Sequence, residues 1–229
     1  DEIIVPDPYF VLYPPLGQMT GAKVVLCDTY PDFCMTAARV EPLITPRTKA
    51  VLICSPSNPC GVVNSARECR ELLDLCKRRG IMLISDEIYD EFTYSDGRTQ
   101  PAAGDSSVLR CPSPCRLEAG PDGQTRDAGE QEHTLLIRGF GKTYGCTGWR
   151  LGYAAGPKWL IDRMVKVAQH LYICAPGPLQ LGALAAFGVD MSGPISEYTR
   201  RRDMVVRTLS EVTEVAHPAG AFYAFVKVP

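Results

Sequence analysis

Short apolar runs of strand length alternate along this chain with stretches of helical periodicity. Residues 3–5, 23–27, 50–54, 81–85 and 135–138 are such runs, and 151–155 is a further candidate. Between the third and fourth runs, Ser65 and Glu68 stand at the spacing of a capping box. Cys69, Leu72, Leu73 and Cys76 then fall at i, i+3, i+4 and i+7, which makes one buried helical stripe. Lys77, Arg78 and Arg79 suit the negative end of that helix, and Gly80 ends it. Pro157 opens another helix with Leu160, Met164, Val167, Ala168 and Leu171 on one face. Helical patterns also cover 178–187 and 194–212, the latter carrying Arg200, Arg201 and Arg202 on a solvated face, and 221–227 reads as a strand opening a new unit. This alternation predicts an α/β fold in which helices cover a parallel sheet.

Residues 95–133 break the rhythm, being rich in proline, glycine and charge with almost no apolar periodicity. Structureless stretches of that length are uncommon inside compact domains, so an exposed insertion is expected, with a short helix near 106–110. A lid over a site is one reading of it.

Composition narrows the function classes. At 229 residues, 45% hydrophobic and 22% charged, the chain has the balance of a soluble globular protein. A formal net charge of −2 gives no electrostatic reason to expect nucleic acid or an anionic membrane as a partner. No apolar run approaches the roughly 20 residues needed to span a bilayer. The start, Asp1 to Val5, lacks the basic leader and long apolar stretch of a signal peptide. Most of the ten cysteines lie inside apolar patterns, where a free thiol behaves as a small hydrophobe, so a reducing cytoplasmic compartment is expected. Cys111 and Cys115 are the one closely spaced pair; no second Cys/His pair accompanies them, and no metal site is expected.

In an open α/β sheet, ligands gather beyond the carboxyl ends of the strands. Asn58 follows the strand ending at Cys54, Asp86 and Tyr89 follow the strand ending at Ser85, and Lys142 follows the strand ending near Arg138. Each alone has an ordinary structural use: Asn58-Pro59 as a turn starter, Asp86 as a helix cap, Tyr89 as core and Lys142 as a solvated loop residue. A phosphate-cradling Gly-x-x-x-x-Gly-Lys-Thr loop fails because position 136 is leucine. Together on one sheet edge, the four match the needs of pyridoxal phosphate. That cofactor takes a lysine for its Schiff base, a carboxylate for its ring nitrogen, donors for its phenolic oxygen and a cationic cup for its phosphate. Arg150, eight residues beyond Lys142, offers a planar fork for the last.

The stretches Pro6 to Tyr13, Thr45 to Ala50, Ser57-Asn-Pro-Cys-Gly61, Ser85-Asp-Glu-Ile-Tyr89, Gly141 to Ala154 and Gly220-Ala-Phe-Tyr223 occur in the order of a known family. The chain resembles the fold-type I, class I/II aminotransferases, in the branch of prokaryotic aspartate and aromatic transaminases. The resemblance implies a three-layer α/β/α large domain with a mostly parallel sheet over 1–212, its N-terminal part missing and an insertion at about 95–133. Residues 213–229 would begin a truncated C-terminal small α+β domain. It makes Lys142 the Schiff-base lysine that acts as base and then as acid, and Asp86 the partner of the ring nitrogen. Asn58 and Tyr89 would contact the phenolic oxygen, Arg150 the phosphate, and Phe10 would stack on the ring. It also implies amino acid and 2-oxo acid substrates and a homodimer at full length.

Departures accompany the match. The family usually carries serine three residues before the lysine, where this chain has Gly139, whose backbone N–H would partly substitute. Cys60 stands where threonine is usual. The upstream glycine-rich phosphate turn and the C-terminal substrate arginine are absent, as in a fragment. Alternatives within the fold are a C–S lyase or a decarboxylase; outside catalysis, the alternative is the effector-binding domain of a transcription regulator.

Overall fold

The computed structural model describes residues 1–94 and 132–228. Its centre is a six-stranded sheet in the order β2-β1-β3-β4-β5-β6. The strands are β1 (Glu2–Asp7), β2 (Lys23–Asp28), β3 (Thr48–Cys54), β4 (Met82–Asp86), β5 (Thr134–Gly139) and β6 (Gly152–Ala155). The first five pair in parallel and β6 runs antiparallel to β5. That reversal follows from the link between them. A parallel return is usually made by a crossover helix, whereas residues 140–151 form only two single turns, Phe140–Thr143 and Thr147–Trp149. The expected parallel sheet is therefore parallel except at this edge.

The helices are α1 (Tyr13–Met19), α2 (Ala37–Val40), α3 (Ala66–Arg79), α4 (Phe140–Thr143), α5 (Lys158–Leu171), α6 (Gly177–Ala186) and α7 (Ser192–Leu209). The α3 capping box forms as its sequence requires: the Ser65 hydroxyl accepts from the Glu68 N–H, and the Ser65 N–H donates to the Glu68 carboxylate at 2.7 Å. Gly80 ends the helix in the left-handed conformation, with φ of 64°. The stripe Cys69, Leu72, Leu73 and Cys76 is buried and packs with Ile4, Val51, Ile53 and Leu83 into the largest apolar cluster. This core fixes β1, β3 and β4, and so fixes where their carboxyl ends emerge.

Three expectations need correction. Arg202 does not share the solvated face of Arg200 and Arg201: its side chain is 11% exposed, donates to the Pro218 carbonyl at 2.9 Å and lies over the Tyr94 ring at 4.9 Å. Residues 221–227 do not form a strand: Ala221 has φ of 54°, which turns the chain out of extension, and only a single bridge, Val215 to Val226, follows. The apolar face expected on α5 is only half covered, since Leu160, Met164 and Ala168 are partly buried while Val167 and Leu171 are exposed. Six cysteines (27, 34, 54, 60, 69 and 76) are buried as free thiols, Cys146 is intermediate and Cys174 is exposed. Cys111, Cys115 and nearly all of the expected insertion, including its short helix, lie outside the described residues. Among the described residues no group of three or more His, Cys, Asp or Glu is placed to hold a metal, and no helix is long and apolar enough to cross a membrane.

Candidate active site

Asp86 ends β4, level with Cys54 on one neighbouring strand and Ile137 on the other. Its carboxylate accepts from the Tyr13 hydroxyl at 2.7 Å and from the Ile88 N–H at 3.3 Å. Burial pushes the Asp86 pKa above its ordinary value, and those two hydrogen bonds pull it partly back. Both donors are neutral, and no cationic side chain among the described residues pairs with this carboxylate. Tyr13 is buried, and that burial first, with the nearby Cys54 and Asp86 charges, raises its own pKa far beyond the usual phenol, so it stays a donor. The local sequence puts it there: the Tyr13 N–H closes a turn onto the Phe10 carbonyl at 3.0 Å, and prolines then start α1. Phe10 sets its ring edge-on against Tyr13 with centroids 5.6 Å apart.

Asn58 stands in the loop after β3, which Ser57 and Val62 close with a 2.9 Å backbone bond and Gly61 turns at φ of 72°. The Asn58 amide donates to the Tyr89 hydroxyl at 3.5 Å, a long contact, and the Tyr89 and Tyr223 hydroxyls meet at 2.5 Å. Phe222 lies edge-on to Tyr89 at 5.2 Å, and the Lys142 ammonium sits 5.9 Å from the Phe222 ring centroid. Such an aromatic face attracts a cation. Phe222 and Tyr223 are held in place by backbone bonds from Gly220 to Gly61, from Tyr94 to Ala219 and from Ala221 to Phe92.

Lys142 rides on α4, a single turn whose N-cap is Gly139. A Cβ at Gly139 would stand 2.5 Å from Ile88 Cδ1, so glycine lets this turn approach the loop after β4. The Phe140 N–H bonds the Leu151 carbonyl at 3.1 Å. Beneath the turn, Arg138 donates to Glu87 at 2.7 and 3.1 Å and pairs with Asp90 at 3.1 Å. The Ser85 hydroxyl completes Glu87 at 2.9 Å. Burial opposes the Arg138 charge, but Asp90 and Glu87 more than offset it and hold the guanidinium firmly protonated.

The structure thus brings Asn58 and Phe222 to Tyr89, Lys142 to Phe222, and Phe10 to Asp86 by way of Tyr13. Arg150 stands apart. It is exposed, left-handed at φ of 51°, and its side chain donates to the Thr147 carbonyl at 3.2 Å. Sequence reasoning missed Tyr13, Phe222 and Tyr223. Tyr13 carried a usable signal, an aromatic directly before a proline pair that starts a helix. Phe222 and Tyr223 were part of a matching stretch but carried no sign of which strand end they would meet.

The family model described as aminotransferase class I and II matches residues 1–229. A putative aminotransferase, YugH of Bacillus subtilis, is 38% identical over 234 residues, covering 100% of this chain and 55% of that protein. An aspartate aminotransferase of Rhizobium meliloti is 35% identical, covering 98% of this chain and 52% of that protein. The crystal structure of an aromatic aminotransferase from Pyrococcus horikoshii superposes with a TM-score of 0.82 at 32% identity, covering 100% of this chain and 57% of that one. The chain spans about half the length of the curated relatives it matches. With the family model matching throughout and the same fold in solved members, this chain belongs to the class I and II aminotransferases.

Proposed function

We propose that this chain is the cofactor-holding part of a longer pyridoxal-phosphate-dependent transaminase, moving an amino group between an amino acid and a 2-oxo acid. The observation that carries the reading is the Asp86 carboxylate: it is partly buried at a strand end and, among the described residues, is partnered only by neutral donors and no cation. A protonated ring nitrogen is the cation that would suit it. Bound pyridoxal phosphate would supply an electrophilic carbon for the Lys142 amine and a ring that accepts electrons from the substrate's α carbon.

The chain's own residues then have definite tasks. Asp86 keeps the ring nitrogen protonated, and Tyr13 keeps Asp86 aimed. Asn58 and Tyr89 offer donors for the phenolic oxygen, and Phe10 contributes an apolar wall. Lys142 Nζ, as free amine, removes a proton from the substrate α carbon. Arg150 and the backbone at Gly139 are assigned to the phosphate; among the described residues the Arg150 side chain bonds only a carbonyl on its own turn, which leaves it room to swing. Residues 213–229 are assigned to the start of a second domain, whose first part still packs on the loop after β3. A cytoplasmic homodimer is the proposed assembly, and exposed Leu171, Leu181, Leu184 and Phe187 support a covering surface there.

Titrating the full-length protein with pyridoxal phosphate tests this. A pH-dependent absorbance above the protein band is expected, lost in Lys142→Ala, together with transfer of an amino group to 2-oxoglutarate. An unchanged spectrum in Lys142→Ala rules the assignment out. Release of pyruvate or carbon dioxide in place of amino transfer would redirect it to a lyase or decarboxylase.

A further inference from the structure

We infer that Asp90 is the positioning residue for Lys142, one carboxylate tying down the chain on both sides of the reactive amine. Its Oδ2 pairs with the Arg138 guanidinium at 3.1 Å, four residues before Lys142. Its Oδ1 accepts from the Thr143 hydroxyl at 3.4 Å, one residue after. The inference deepens the transaminase reading above and rests on it.

A four-residue helix cannot hold its own shape, because nucleating a turn costs more than its single bond returns. The direction of Lys142 is therefore set by what grips α4 from outside. Asp90 is well built for that grip. Its side chain is 10% exposed, its N–H bonds the Glu87 carbonyl at 3.1 Å, and its carbonyl accepts from the Thr93 hydroxyl at 3.2 Å. Arg138 is pinned in turn by Glu87, whose side chain is 1% exposed. Thr143 is itself buried, so its hydroxyl has little access to water as a substitute acceptor. The two carboxylate oxygens are divided between the two flanks, and neither tie touches Lys142. Asp90 acts on the amine through the backbone.

Thr143→Val removes the downstream tie alone and keeps the shape of the side chain; Thr143→Ser keeps the hydroxyl. Both are made in the full-length protein loaded with pyridoxal phosphate. Thr143→Val is expected to lower kcat about tenfold, the scale of a small misplacement of a catalytic group, with KM nearly unchanged. The isotope effect with an α-deuterated amino acid should rise, because proton removal becomes slower, and borohydride-fixed attachment of the cofactor at Lys142 should slow. Thr143→Ser should restore all three. A merely structural role would lower the folded fraction and leave the isotope effect where it was, and that result overturns the inference. Asp90→Asn, which weakens both ties, should lower kcat further; equality with the parent also overturns it. A parent protein that takes up no cofactor at Lys142 overturns the transaminase reading, and this inference with it.

Discussion

The Tyr13 hydroxyl donates to the Asp86 carboxylate at 2.7 Å across 73 positions of sequence, joining the start of α1 to the end of β4. Burial raises the Asp86 pKa above 3.8, and the Tyr13 and Ile88 bonds oppose this only in part. The folded chain thus keeps the proton over a pH range where the unfolded chain has released it. Asp86 favours the fold below its unfolded pKa, and that contribution is lost as pH rises through the folded value. Asp86→Asn, uncharged throughout, is expected to exceed the parent in stability at neutral pH by about 1.4 kcal/mol for each unit of raised pKa. The gap should close toward pH 3, and urea unfolding of cofactor-free protein across pH measures it. Cofactor retention should fall in the same variant, which separates a role in binding from one in folding.

The Arg138, Glu87 and Asp90 cluster makes a second prediction. Removing the cation alone leaves two acidic groups whose side chains are 1% and 10% exposed. Breaking one partner out of a buried ion pair typically costs about 3–5 kcal/mol. Arg138→Met should lower the unfolding free energy by that much, and adding Glu87→Gln should recover part of the loss. A double-mutant cycle by urea denaturation checks both statements. Equal stability of Arg138→Met and the parent would mean that water already solvates the cluster.

Gly220 anchors the stretch that brings Phe222 and Tyr223 to Tyr89. A Cβ there would lie 2.7 Å from the Phe92 carbonyl oxygen, 2.7 Å from Pro56 Cβ and 2.7 Å from Val63 Cγ2. One of those atoms is backbone and cannot swing aside. Gly220→Ala is expected to cost roughly 1–3 kcal/mol by overpacking. It should also loosen the Tyr89–Tyr223 contact. Gly139→Ala meets only the flexible tip of Ile88 at 2.5 Å and should be milder. Thermal unfolding of the two variants side by side gives the order.

What was legible in the sequence was whatever its own neighbours dictate. The capping box and the Cys69 to Cys76 stripe fix α3 from local rules, and the apolar runs mark every strand to within a few residues. That Asn58, Asp86, Tyr89 and Lys142 stand at or just beyond strand ends was readable because strand ends follow from strand positions. Contacts set by tertiary packing were not. The α1 helix is short, begins with two prolines and buries only Tyr13, so it carries no periodic stripe to reveal it. The antiparallel turn of β6 depends on its link folding as single turns and not as a crossover helix, and the 221–227 stretch looked extended by composition but bends at Ala221. The exposure of Val167 and Leu171 was hidden because a periodic face states what wants burial, not whether this stretch of chain provides the cover.

The thiols give a last prediction, which tests the packing of the sheet directly. Burial pushes Cys54, Cys60, Cys69 and Cys76 each up to about 12. Thiolate is the reacting form, so at pH 8 these four should be on the order of 1,000-fold slower toward an alkylating reagent than an ordinary thiol. Cys174 is exposed three residues past α5 and is open to the reagent. Peptide mapping of native, cofactor-free protein after a short pulse should find Cys174 labelled and those four intact, with all of them labelled in urea. Cys69 and Cys76 line the inner face of α3 against Val51 and Leu83, so early labelling of either would mean that α3 leaves the sheet on the timescale of the pulse. Labelling of Cys54 alone would instead report opening at the Tyr13–Asp86 end of β3, and Tyr13→Phe should then accelerate it.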